Sequence, residues 1–192
     1  MNLYKFGRFV CGLIMKPMYR FNVVGKENVP KEGPVIICSN HISNFDPPTV
    51  GVTCPREISF MAKEELFSNK LLGGILRRVN AFPIKRGMKD RNALREALSI
   101  LKEGKTLGLF PEGTRSKTGE LKQGLAGAGF FALRSEATVI PCAIIGPYKK
   151  FESLKVVYGT PIKMDELRKN KASAQEVTDI IMDEIKKLKE KS

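Results

Sequence analysis

Two short strings carry the side chains able to do chemistry in this sequence, Asn40-His41-Ile42-Ser43-Asn44-Phe45-Asp46 and Phe110-Pro111-Glu112-Gly113-Thr114-Arg115-Ser116. The first holds the sole histidine of the chain, with a carboxylate five residues on. An unperturbed imidazole titrates near pH 6.5, so it is the side chain best matched to general-base work at neutral pH. An aspartate accepting one ring N–H fixes the tautomer, orients the ring and stabilises the imidazolium as it forms. His41 and Asp46 are therefore the candidate base pair, and Asn40 and Ser43 can support the turn through side-chain to backbone hydrogen bonds. No G-x-S-x-G elbow is present, which disfavours a serine esterase of the α/β-hydrolase type. A histidine–aspartate pair without a neighbouring nucleophile is most simply used to deprotonate a substrate hydroxyl, a step typically worth about 10²–10⁴-fold.

The second string offers anion recognition. Gly113 gives a turn that lets a ligand approach the backbone. Arg115 presents a forked donor suited to phosphate oxygens, with the Thr114 and Ser116 hydroxyls beside it. A third segment, Phe82-Pro83-Ile84-Lys85-Arg86-Gly87, places Lys85 and Arg86 before a glycine and reads as a basic loop. Two glycine patterns are decoys. Gly104-Lys105-Thr106 resembles a P-loop ending, but Ser99 stands at the first glycine position and a helix precedes it where a strand is needed. Gly124, Gly127 and Gly129 have the wrong order for a dinucleotide fingerprint.

The elements that must hold these strings follow from periodicity. Val35 to Cys38 reads as a short buried strand leading into the first string, and Pro47-Pro48 after it predict a helix start capped by Asp46 or a neighbour. Thr106 to Phe110 is a strand leading into the second string. Further strands are expected at Phe21–Val24, Ile58–Ala62, Val139–Ile145 and Lys155–Tyr158. Helices are expected over 66–78, 91–103 and 124–134, and from Ala174, with Leu94, Ala97, Leu98 and Leu101 on one face of the second and Gly104 stopping it. In the last helix Val177, Ile180, Ile181, Ile185 and Leu188 face inward. Strands alternating with helices predict a single α/β domain with a central mixed, largely parallel sheet flanked by helices, plus an N-terminal amphipathic helical segment. The expected division is 1–21 for that segment and 22–192 for the catalytic domain.

Residues 1–21 contain no acid. As a helix they gather Leu3, Phe6, Val10, Leu13, Ile14, Pro17, Met18 and Phe21 broadly on one side, with Lys5, Arg8, Gly12, Lys16 and Arg20 opposite and Phe9 among the cations. Two readings follow, a helix packed on its own domain or an interfacial anchor on an anionic membrane surface, and the second is preferred. No run of about eighteen apolar residues exists, so no spanning helix is expected. The 9–15 stretch leads into Lys16 and Pro17 and makes a poor signal peptide. Thirty-three basic against twenty acidic residues give a formal charge of +13, which favours polyanions. The cations are spread along the chain without an aromatic-basic signature, so nucleic acid is not the expected partner and a non-catalytic basic lipid-binding protein is a lesser alternative. The cysteines Cys11, Cys38, Cys54 and Cys142 form no C-x-x-C pair and read as reduced small hydrophobes in a cytoplasmic setting. One histidine and no cysteine cluster make a metal site improbable.

Taken together, the strings resemble the glycerolipid acyltransferase family typified by bacterial 1-acylglycerol-3-phosphate acyltransferase. The family block Asn-His-x-Ser-x-x-Asp matches at Asn40, His41, Ser43 and Asp46, and Phe-Pro-Glu-Gly-Thr-Arg-Ser matches in full at 110–116. A looser second block ends at Arg86, and an apolar strand ending in proline matches Val139-Ile140-Pro141. The resemblance runs over about residues 20–165. It implies transfer of a fatty acyl group from an acyl-CoA or acyl-carrier-protein thioester to the hydroxyl of lysophosphatidate, giving phosphatidate. His41 would be the base and Asp46 its orienter, with no acyl-enzyme and no bound cofactor. By the same resemblance Arg86 and Arg115 would grip the phosphate, Glu112 and Gly113 would shape that pocket, and Pro141 would lie in the acyl-donor region. Another acceptor, glycerol 3-phosphate or a different lysophospholipid, is the enzymatic alternative. The implied location is peripheral, monotopic, on the cytoplasmic face of the cell membrane, with an acyl-carrier protein among the partners implied.

Overall fold

The computed structural model describes residues 3–85 and 90–191. In chain order the elements are α1 (Leu3–Tyr19), β1 (Phe21–Val24), a 3-10 turn (Lys26–Asn28), β2 (Val35–Ser39), α2 (Asp46–Thr53) and β3 (Ile58–Lys63). A second 3-10 turn (Glu64–Phe67), α3 (Lys70–Arg78), β4 (Ala81–Ile84), α4 (Arg91–Lys102), β5 (Thr106–Leu109) and α5 (Gly127–Arg134) follow. The chain continues through β6 (Thr138–Ile145), β7 (Leu154–Tyr158), α6 (Met164–Lys169) and α7 (Ala174–Glu190). Among the described residues the strands form one seven-stranded sheet in the order β1-β7-β6-β2-β5-β3-β4. All neighbours are parallel except β6 and β7, so the expected mixed, largely parallel α/β sheet is what forms.

Alternation along the central strands splits the core between two faces. Ile36 and Cys38 point to the face covered by α4, α5 and α7, where Ala97, Leu101, Phe131, Val177, Ile181 and Ile185 are buried. Val35 and Ile37 point to the other face, covered by α1 and α2 through Tyr4, Met15, Tyr19 and Val50. A strand buried on both faces needs an apolar run, and in the wholly buried β2 Val35 to Cys38 supply it before Ser39 ends the strand. At β5 the exception is Gly108. A Cβ there would stand 2.2 Å from the Phe60 ring, so the strand is bare at that point and the ring lies across it.

Several expectations need correction. In the segment 82–87, for which a basic loop is one expectation, Phe82, Pro83 and Ile84 belong to β4, and Pro83 is tolerated because β4 is an edge strand; Arg86 and Gly87 lie outside the described residues. The helix expected over 66–78 is a 3-10 turn followed by α3, started by Asn69, whose side chain accepts the Leu71 and Leu72 amides. The helix expected from 124 begins at Gly127, and α6 had no counterpart in the sequence reading. At the start of α2, expected to be capped by Asp46 or a neighbour, the neighbour holds the place and Asp46 does not. It is the first helical residue, Phe45 holds the cap position, and the Asp46 carboxylate turns back toward the preceding loop.

Residues 1 and 2 of the expected N-terminal segment lie outside the described residues. The remainder, α1, packs on the domain and still leaves an apolar ridge uncovered. Tyr4, Gly12, Met15 and Tyr19 are buried, and the Tyr4 hydroxyl accepts the Ile58 amide at 2.9 Å. Arg8, expected on an outward basic face, instead turns inward and donates to the Val52 and Cys54 carbonyls at the end of α2. Phe9, expected among the cations, is 65% exposed beside Leu13 at 66%, with Phe6, Val10 and Ile14 also exposed. Three of the four cysteines are buried and all are free. Burial pushes the Cys38 thiol up to about 12 and raises Cys54 and Cys142 as well.

Candidate active site

Strands β2 and β5 are parallel neighbours, with Cys38 opposite Leu109, so the segments that follow them leave the sheet at the same end. Parallel sheets present their chemistry at those carboxyl ends. Two backbone-anchored bonds then tie the strings together. Glu112 Oε1 accepts the His41 amide at 2.8 Å, and the Ser116 amide donates to the His41 carbonyl at 2.7 Å.

The His41 ring donates through Nδ1 to Asp46 Oδ2 at 2.6 Å. The same oxygen accepts the Ile42 and Ser43 amides at 2.6 and 2.7 Å. The other oxygen, Oδ1, accepts the Tyr148 hydroxyl at 2.8 Å, and that hydroxyl lies 3.0 Å from the Thr49 hydroxyl. Asp46 is fully buried, and all four partners donate, which is what a carboxylate requires away from water. Burial and the neighbouring Asp46 charge push the Tyr148 phenol well above its ordinary value, so it remains a donor. With Nδ1 committed to Asp46, Nε2 keeps the lone pair that can take a proton.

The ring is held on its face as well as its edge. Phe110 stacks on it at 4.2 Å between centroids and 20° between planes, and Phe60 stacks on Phe110 at 5.7 Å and 13°. Gly108 is the bare spot that admits Phe60. Asn40 exchanges a pair of hydrogen bonds with the Ile144 backbone at 3.0 and 2.8 Å, pinning the start of the string to β6. The Ser43 hydroxyl accepts the Phe45 amide at 3.2 Å. Both make the side-chain to backbone hydrogen bonds expected of them.

His41 and Arg115 line one cavity of about 620 Å³, and this union of base and guanidinium is what the two strings separately suggested. Away from them the walls are largely apolar, from Pro48, Phe60 and Met61 to Leu76, Val79 and the α1 residue Gly7, with Arg8, Asn44 and Lys63 as polar interruptions. Glu112 shapes the site as a buried brace: its second oxygen accepts the Lys122 amide at 3.0 Å. At Gly113 the close neighbour is the protein itself. Its φ of 66° is left-handed, and Leu125 lies 2.6 Å from where a Cβ would stand. Ser116 is buried with its hydroxyl 3.5 Å from that of Thr118, whereas Thr114 is exposed. Lys122, absent from the sequence reading, sends its ammonium to the Thr114 hydroxyl at 3.4 Å and the Arg115 carbonyl at 2.9 Å.

Two expected residues stand apart. Lys85 is exposed at the end of β4, 3.7 Å from Glu64, and does not line the cavity. Pro141 is buried in β6, where its missing N–H falls opposite Gly159 just beyond β7, and it too is absent from the cavity wall. Arg86 lies outside the described residues. Tyr148 and Phe110 are not among the expected site residues; Phe110 opens the second string and was open to notice, whereas no sequence pattern links Tyr148 to Asp46, 102 residues away.

Comparison with known proteins shows the family. A family model described as Acyltransferase matches residues 20–145, a span that contains both strings. The chain belongs to the acyltransferase family. It is 32% identical to the 1-acyl-sn-glycerol-3-phosphate acyltransferase of Bacillus subtilis, over 98% of each chain. A chloroplastic 1-acyl-sn-glycerol-3-phosphate acyltransferase of Arabidopsis thaliana is 31% identical over 76% of this acyltransferase and 42% of its own longer chain. The crystal structure of the 1-acyl-sn-glycerophosphate (LPA) acyltransferase PlsC from Thermotoga maritima superposes with a TM-score of 0.76 at 26% identity, covering 96% of this chain and 76% of that one.

Proposed function

We propose that this acyltransferase converts 1-acylglycerol 3-phosphate to phosphatidate, taking the acyl group from a coenzyme A or acyl-carrier-protein thioester. The observation that carries this reading is the shared cavity, in which His41, held by the buried Asp46, and the exposed Arg115 border a largely apolar hollow. His41 Nε2 removes the proton from the acceptor hydroxyl as its oxygen attacks the thioester carbonyl. The tetrahedral intermediate collapses, the carbon–sulfur bond breaks, and the imidazolium returns its proton to the departing thiolate. Asp46 stabilises the imidazolium between those steps. Direct transfer without an acyl-enzyme is supported by the ring's partners. Among the described residues no serine or cysteine is hydrogen-bonded to it. The steps as written use no bound metal or cofactor.

Arg115 takes the acceptor phosphate, with Lys122 and Thr114 beside it and Arg86 as a further candidate. The apolar wall accommodates an acyl chain. The segment 1–21 attaches the enzyme peripherally to the cytoplasmic leaflet, and residues 22–192 carry the catalysis. The exposed ridge of Phe6, Phe9 and Leu13 supports that attachment. No helix among the described residues is long and apolar enough to cross a membrane. The test is thiol release from an acyl donor that depends on added 1-acylglycerol 3-phosphate, with the product identified by mass. Release that depends instead on glycerol 3-phosphate or a neutral lysophospholipid would reassign the acceptor. Equal release without acceptor would reject acyl transfer.

A further inference from the structure

A second hollow, of about 950 Å³, lies on the other flank of α1 and plays no part in the chemistry above. Its rim carries Arg8, Lys16, Arg20, Lys26 and Lys31 against a single acid, Glu27. Among the described residues, none of these cations forms an ion pair. Arg8 is fixed by its bonds to the Val52 and Cys54 carbonyls, while Lys16, Arg20, Lys26 and Lys31 are exposed. The floor is apolar, with Val29 and Val52. Like charges gathered around a concave apolar floor repel one another and are relieved by an anion carrying some apolar body.

We propose that this groove binds the phosphate headgroup of an anionic phospholipid resident in the bilayer, at a site separate from the catalytic one. The proposal rests on the membrane-attachment reading and gives that attachment a specific lipid contact. Position favours a bilayer lipid over a soluble phosphate. Lys16 follows Leu13 by three residues and so stands one turn along from the exposed ridge, and Arg20 directly follows the last residue of the same helix. With Phe9 and Leu13 at the acyl boundary, the groove cations come to headgroup level. Arg8 and Val52 line both hollows, so the headgroup site and the catalytic cavity share a wall made by α1 and the end of α2.

The test uses the full chain with vesicles of phosphatidylcholine alone and of phosphatidylcholine containing phosphatidylglycerol. Lys26→Gln/Lys31→Gln should weaken binding to the anionic vesicles on the order of tenfold and leave binding to neutral vesicles unchanged. A matched pair on the opposite face of the sheet, Lys102→Gln/Lys169→Gln, should have little effect on either. Turnover of a short-chain, water-soluble acceptor checks that the variants remain folded and should be unchanged. Three results would each overturn the proposal: retained anionic preference in the groove variant, an equal loss in the matched pair, or a raised KM for acyl-CoA or acyl-carrier protein without vesicles. The last would place a soluble partner in the groove. Phe9→Ser/Leu13→Ser separates the two readings, because it should lose both kinds of vesicle. If it binds both as the parent does, the attachment reading fails, and the groove is judged on the anionic arm alone.

Discussion

At Asp46 the carboxylate is enclosed by four donors and wholly shielded from water. At Arg115, which lines the cavity with His41, the guanidinium is exposed and no hydrogen bond or ion pair to a described residue holds it; only its backbone carbonyl is engaged, by Lys122. The proton-transfer end is thus fixed in advance, as a base must be when its geometry sets the rate. The anion end keeps its donors open for a ligand that brings its own charge. Rigidity is placed where the proton moves, and freedom where the substrate is gathered.

The contrast can be broken most severely at the ring. His41→Ala should lower kcat by about 10²–10⁴-fold with KM little changed. Asp46→Asn should approach that loss, because an amide can donate to the ring and favour the wrong tautomer, and steady-state kinetics on folded protein would measure it. Next comes the brace. Glu112→Gln puts an amide nitrogen against one of two backbone N–H donors, so stability should fall by about 1–3 kcal/mol, read by denaturant unfolding. Arg115→Ala should then act on KM, raising it on the order of tenfold for a phosphate-bearing acceptor and hardly at all for a neutral one. Equal effects on both acceptors would show that the open end does not gather phosphate. Tyr148→Phe is the gentlest probe. Loss of one hydrogen bond to Asp46 is worth about 1 kcal/mol, so kcat should drop several-fold while KM holds. A change confined to KM would remove Tyr148 from the fixed end.

Both strings and the strands feeding them were legible in the sequence, since β2 and β5 are short, largely apolar runs, the first stopped by Ser39-Asn40 and the second by Pro111-Glu112. Their adjacency was not. It arises from the order β6-β2-β5, a matter of long-range pairing that no local pattern encodes. Tyr148 escaped for the same reason, standing 102 residues from its partner in a loop after β6. β4 was hidden by Pro83, a residue that argues against a strand unless the strand is known to lie at an edge. The N-terminal helix was half legible. Its period gave an apolar side and a basic side, but Arg8 found carbonyls to satisfy at the end of α2, and that tertiary demand rotated the pattern.

Gly108 bears a hydrogen where any other residue would drive a carbon into Phe60, and Phe60 in turn underlies the aromatic on which the imidazole rests. A homologue with alanine at that place would keep every letter of both signatures, and a search by signature would accept it. Its imidazole would nonetheless be displaced by whatever distance the two rings had to yield. Recognition by matching letters is blind to a missing methyl, and here the missing methyl helps decide where the proton goes.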